Sequence, residues 1–124
     1  MKQRTLVGLA AGLLLATACG PLFGHHNTVS KYDEEHPVTV TGTVKQFRMV
    51  NPHGRIEVEV KEESGAVALW DIESGSASGL YRRGWRTSDL KPGDRVTATG
   101  APAVDGSKSM VLKKLVTAGG KVLE

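Results

Sequence analysis

Cysteine is almost absent from this chain. Its single member, Cys19, excludes an internal disulfide framework. Aromatic residues are scarce at 5%, so any core must be built from aliphatic and small side chains. Neither sign of charge dominates: 16 Lys and Arg face 13 Asp and Glu, for a formal net charge of +3. Long apolar runs are missing too, except for one near the start. Together these absences exclude a disulfide scaffold, a chain of many membrane spans and a strongly basic polymer binder.

The one apolar run, Leu6 to Ala18, follows Met1-Lys2-Gln3-Arg4. A short basic segment before an uncharged stretch is the pattern of a secretion signal, and the stretch falls short of the roughly 20 residues that span a bilayer. Residues 1–18 are therefore read as a signal peptide and the location as periplasmic. Ala16-Thr17-Ala18 is an A-x-A exit, and Ala16-Thr17-Ala18-Cys19 resembles a lipobox, with Ala16 where Leu is usual. A third exit lies before His25. Lipidation of Cys19 gives a lone exported thiol a reason to exist and tethers the protein to a membrane. Losing Lys2 and Arg4 with the signal lowers the net charge from +3 to about +1, so the basicity of the whole chain is partly a property of the signal.

Residues 19–37 form a polar, charged segment, read as a flexible arm. Ser30, Asp33 and Glu34 suit a single capped helical turn, which Pro37 would stop. From Val38 the period is two. Val38, Val40, Gly42 and Val44 alternate with Thr39, Thr41, Thr43 and Lys45, and the phase slips before Phe47 and Met49, which predicts a bulge between Val44 and Phe47. Asn51-Pro52-His53-Gly54 is a turn. Arg55 to Lys61 turns Ile56, Val58 and Val60 inward, and Ala66 to Ile72 is a third strand. Ser76 to Arg83 is the one mid-chain helix, with Ser76 as its N-cap. After the Leu90-to-Asp94 turn come strands at Val96–Gly100 and Met110–Val116, and Gly119-Gly120 suits a small extra hairpin. Three strands, a short helix and two strands match the five-stranded Greek-key barrel of the OB-fold, with the helix between strands three and four. Residues 38–124 are assigned to this mostly β domain.

All four histidines lie between residues 25 and 53. Imidazole is a common metal ligand. Strand one, about 12 residues and roughly 40 Å if uncoiled, separates His36 from His53, so these two are not expected to share an ion. The arm can span about 35 Å, enough to fold back and bring His25 or His26 to His53. Nitrogen-rich sites suit copper among the transition metals. A chain cut before His25 would add its α-amino group to that set. Gly75-Ser76-Ala77-Ser78-Gly79 is not a nucleophile elbow, because Ala77 stands where the serine belongs. No nucleophile, base and orienting group occur together, so no enzyme is expected. Arg82, Arg83, Trp85 and Arg86 form a basic-aromatic patch suited to an envelope protein or a glycan. Strand two lacks aromatics and carries Glu57 and Glu59 outward. With the near-neutral charge and the exported compartment, this sets the expectation of no nucleic-acid partner.

The chain also resembles a family of small, uncharacterised secreted bacterial proteins. The likeness rests on His25-His26-Asn27, Pro37 to Val44, Asn51-Pro52-His53, the strand reaching Trp70, Arg82-Arg83-Gly84-Trp85 and Leu90 to Asp94. It implies an exported domain of unknown function and no particular activity. Asn27 stands where the family usually has Ser, and Cys19 to Gly24 is inserted ahead of the His pair, a departure that favours the lipoprotein. The expected protein is an exported, non-catalytic binding module for a transition metal, held by His25, His26 and His53. The alternative is an interaction module working through the open barrel face and the Arg82–Arg86 patch.

Overall fold

A computed structural model describes residues 30–124. Cys19, His25 and His26 lie outside the described residues. Six strands and one helix follow in order: β1 (Val38–Arg48), β2 (Arg55–Lys61), β3 (Val67–Glu73), α1 (Ala77–Arg82), β4 (Arg95–Pro102), β5 (Ser109–Thr117) and β6 (Val122–Leu123). The sheet order is β3-β2-β1-β4-β5-β6. A parallel pairing of Asp71, Ile72 and Glu73 with Ser109, Met110 and Val111 closes β1 to β5 into a barrel. This is the expected five-stranded Greek-key barrel, with its helix between β3 and β4. Among the described residues no helix is long and apolar enough to cross a membrane.

β1 serves two partners. Its first half pairs with β4, from Val38↔Gly100 to Thr43↔Arg95. Its second half pairs with β2, and the register slips between Val44 and Gln46. The slip lies within the interval where the apolar parity changes, and it turns Phe47 and Met49 toward the core that Val38, Val40 and Val44 already face. Gly42 sits where the strand coils from one partner to the other. A Cβ there would overlap the Glu59 carbonyl oxygen and press on Val58, so only glycine allows this approach. The Leu90–Asp94 turn docks at the bulge, where Val44 N–H donates to the Asp94 carbonyl and Gly93 N–H to that of Val44, both at 2.8 Å.

The core is aliphatic, as the composition requires: Ile56, Val58, Ile72, Val96, Met110 and Leu115 are fully buried. α1 begins at Ser76, whose hydroxyl accepts from Gly79 N–H at 3.2 Å, and it delivers Leu80 into one end of the barrel. Trp85 follows it inside, 1% exposed, with its ring centroid 6.0 Å from that of Phe47. The Gly119-Gly120 turn leads into β6, whose Leu123 pairs with Leu115 and is buried.

The arm differs from expectation over its described part. Ser30 to Pro37 forms no helical turn. Asp33 instead accepts from the backbone N–H of Glu35 at 3.1 Å and of His36 at 3.2 Å, a local bonding mode that competes with helix. Tyr32 bridges to Ala103, and Asp33 N–H donates to the Pro102 carbonyl at 2.8 Å. The segment thus continues along the end of β4.

Candidate functional site

The loop after β1 and the exit from β3 are locked together by backbone bonds. Ser74 N–H donates to the Gly54 carbonyl at 2.8 Å and Gly54 N–H to that of Gly75 at 2.9 Å. This extends the β2–β3 ladder by one step and fixes His53 beside Glu73. The Val50 carbonyl accepts from Ala77 N–H at 3.1 Å, which ties the same loop to the start of α1.

Glu73 is the hub. It stands opposite Arg55 in the β2–β3 register and accepts from Arg55 Nη1 at 3.1 Å. Arg55 Nη2 holds Asp71 on the same face. The other Glu73 oxygen lies 3.5 Å from His53 Nδ1. Tyr32 Oη, from the arm, donates to Glu73 Oε2 at 3.3 Å. The Glu73 side chain is 20% exposed and that of His53 57%, so the carboxylate is sheltered while the imidazole stays open to solvent.

Behind this cluster, between α1 and the β3–β5 seam, lies a cavity of about 300 Å³. His53, Glu73, Arg83 and Lys113 line it, with Leu80 and Leu112 among the apolar lining residues. Lys113 is held by the arm through Glu34, at 3.0 Å from both its carboxylate and its carbonyl oxygen. Ser74 is 5% exposed, and its hydroxyl has no hydrogen-bond partner among the described residues.

The structure separates the residues singled out from the sequence. His36 and His53 have different partners. His36 Nδ1 lies 2.9 Å from Asp33 Oδ2, and that hydrogen bond, with help from the backbone N–H groups of His36 and Glu35, holds the Asp33 carboxyl below its ordinary value against the opposing effect of desolvation. Among the described residues no three His, Cys, Asp or Glu side chains gather as a metal set, and the other two residues of the expected set, His25 and His26, lie outside the description. Of the Arg82–Arg86 patch, Trp85 leaves the surface, while Arg82, Arg83 and Arg86 stay exposed. Trp85 is core, because the barrel end opened by the small helix needs a large apolar plug. Arg86 turns back to the chain, where Nη1 donates to the Trp85 carbonyl at 2.7 Å and to that of Tyr81 at 3.2 Å, and its guanidinium lies 4.1 Å from the centre of the Tyr81 ring. Arg83 also lines the cavity.

Sequence reasoning missed Tyr32, Arg55, Asp71, Glu73 and Ser74. The alternation of Arg55 to Lys61 already turned Arg55 outward. Pairing it with Glu73 required the β2–β3 register, which a single sequence leaves open.

Comparison with known proteins agrees with this fold. A family model described as a family of unknown function, DUF6152, matches residues 12–112. None of the curated proteins matches the chain. Among solved structures, the chain is similar to the mitochondrial single-stranded DNA binding proteins of S. cerevisiae, Rim1. One crystal form has 15% identity and a TM-score of 0.51, covering 69% of this chain and 97% of that one. Another has 13% identity and a TM-score of 0.52, covering 67% and 92%. These neighbours overturn the expectation of no nucleic-acid partner. The acidic outer face of β2 and the modest charge were its grounds, yet this same barrel serves proteins named for binding single-stranded DNA. At such identity the likeness establishes the fold alone.

Proposed function

The chain belongs to DUF6152, a family of unknown function, and from that premise we propose that it is an exported, non-catalytic module that binds a transition-metal ion, copper foremost, through His53 with His25 or His26. The observation that carries this reading is the shared carboxylate of Glu73, which takes Tyr32 Oη on one side and faces His53 Nδ1 on the other. The arm is thereby tied beside the loop histidine. His26 lies six residues before Tyr32, and six extended residues reach about 20 Å. Either member of the His pair can come to His53 without disturbing the barrel.

The chemistry suits the arrangement. A carboxylate beside one imidazole nitrogen helps orient the ring, the usual outer support of a metal-bound histidine. Glu73 stands in that position toward His53, and Arg55 and Tyr32 hold Glu73 in turn. Two or three imidazoles and no thiolate favour copper(II) over harder ions. The proposal includes a periplasmic location and a lipid on Cys19, which would keep the module at a membrane while the polar arm supplies its histidines.

The test is native mass spectrometry of the full chain, recovered from a bacterial envelope and then titrated with copper(II). One ion should be bound per chain. His53→Ala should lose it, and Arg82→Ala should retain it. Unchanged binding in His53→Ala, or no binding by the full chain after titration, would reject the metal reading. In the second case, titration with a single-stranded oligonucleotide becomes the next assay. The same spectrum reads the processed N-terminus, and a chain starting at unmodified His25 would reject the lipid anchor.

A further inference from the structure

We propose that the cavity between α1 and the β3–β5 seam is a second binding site, for a short aliphatic carboxylate, with Arg83 as the group that receives the anion. The cavity measures about 300 Å³, at the lower end of small-molecule sites, and this limits the occupant to a small molecule. Its walls combine a cation with apolar surface. Leu80, Val111 and Leu112 supply the apolar part and match a short hydrocarbon chain.

Arg83 is free for the task. Lys113 is held by Glu34, Arg55 by Asp71 and Glu73, and Arg86 by backbone carbonyls. Arg83 forms no ion pair and no side-chain hydrogen bond among the described residues, although Glu73 and Glu124 line the same cavity. Glu73 is already matched by Arg55. A guanidinium presents its donors in a planar fork that fits a carboxylate with two parallel bonds.

Two further features shape the cavity. Gly75 has no side chain, and a Cβ there would overlap the Arg83 guanidinium. The absence of that one carbon is what lets Arg83 lie against the backbone at the mouth of the cavity. Ser74, in the same wall, keeps a buried hydroxyl without a partner. That hydroxyl lies against Gly54, where a Cβ would overlap it.

The site does not depend on the proposed metal. The experiment therefore uses the full chain freed of metal by a chelator, with sodium octanoate as the probe and 1-octanol as its uncharged counterpart. Amide chemical shifts are followed by NMR during titration. Octanoate should saturate, with the largest changes at Ser74, Gly75, Arg83 and Val111, and 1-octanol should bind at least about tenfold more weakly, the scale of a charge-assisted hydrogen bond. Arg83→Gln should weaken octanoate by a similar factor, and Arg82→Gln should not. Gly75→Ala should also weaken it, because it displaces the guanidinium while leaving the charge in place. Unchanged spectra outside the cavity in each variant show that the fold is intact. Absence of saturation by octanoate at millimolar concentration, equal binding of octanoate and octanol, or full affinity in Arg83→Gln would each overturn the assignment.

Discussion

Tyr32 donates its phenolic hydroxyl to Glu73, forty-one residues along the chain, at 3.3 Å. The pair joins the arm to the strand end where β3 meets β5, a parallel contact of only three residues a side. It fastens the arm and braces the barrel seam together.

Tyr32→Phe keeps the ring and removes only this bond. The loss should be about 1 kcal/mol, the net worth of one hydrogen bond in water, read from urea denaturation. The arm should also loosen, so trypsin should cut after Lys31 several-fold faster while sites within the strands stay protected. If the histidine site forms as proposed, copper affinity should fall in parallel, since the tether would hold His25 and His26 less closely.

Gly42→Ala tests the coiling of β1. The added Cβ would overlap the Glu59 carbonyl oxygen and crowd the Val58 side chain, and the carbonyl cannot move without disturbing the β1–β2 pairing. Overpacking of this kind costs about 1–3 kcal/mol. A urea midpoint equal to that of the parent would show that the strand can relax around the methyl group.

The barrel was legible in the sequence because its signals are local. Val38 to Val44 and Ile56 to Val60 alternate cleanly, the parity break before Phe47 located the bulge, and Ser76 marked the start of α1. The site was less legible because it is made of register and return. Glu73 matters through its position opposite Arg55 and beside His53, and Tyr32 through a contact with a strand that follows it by many residues. Trp85 reads as part of a surface patch because its neighbours are arginines. It is core because Leu80 and Phe47 leave a space at the barrel end that only a large side chain fills.

Leu80→Ala probes that end plug. Leu80 is 1% exposed and is the one buried residue of α1. Truncating a buried leucine costs about 2–5 kcal/mol, a large share of the stability of so small a domain. Val122, 48% exposed on β6, provides the contrast, since Val122→Ala should shift stability by less than about 0.5 kcal/mol. Thermal melts of the two variants beside the parent measure the difference directly.

Asp89 should make the domain sensitive to acid. Its carboxylate receives Lys121 Nζ at 2.6 Å and the backbone N–H of Arg86 at 2.7 Å, joining the loop after α1 to the turn before β6. Burial pushes its pKa up, but the Lys121 ammonium and the Arg86 N–H more than offset this, and the net direction is below the ordinary value of 3.8. A carboxyl group with a lowered folded-state pKa binds protons more readily in the unfolded chain, so its stabilisation is complete above the unfolded value and disappears as pH falls through the folded one. Stability should therefore decline as pH drops from about 5 toward 2. Asp89→Asn should be less stable than the parent at pH 7, and the two should converge at the acid end. Urea midpoints taken across that range check the sign. A constant gap between parent and variant down to the lowest pH would mean that Asp89 acts through packing and not through its charge.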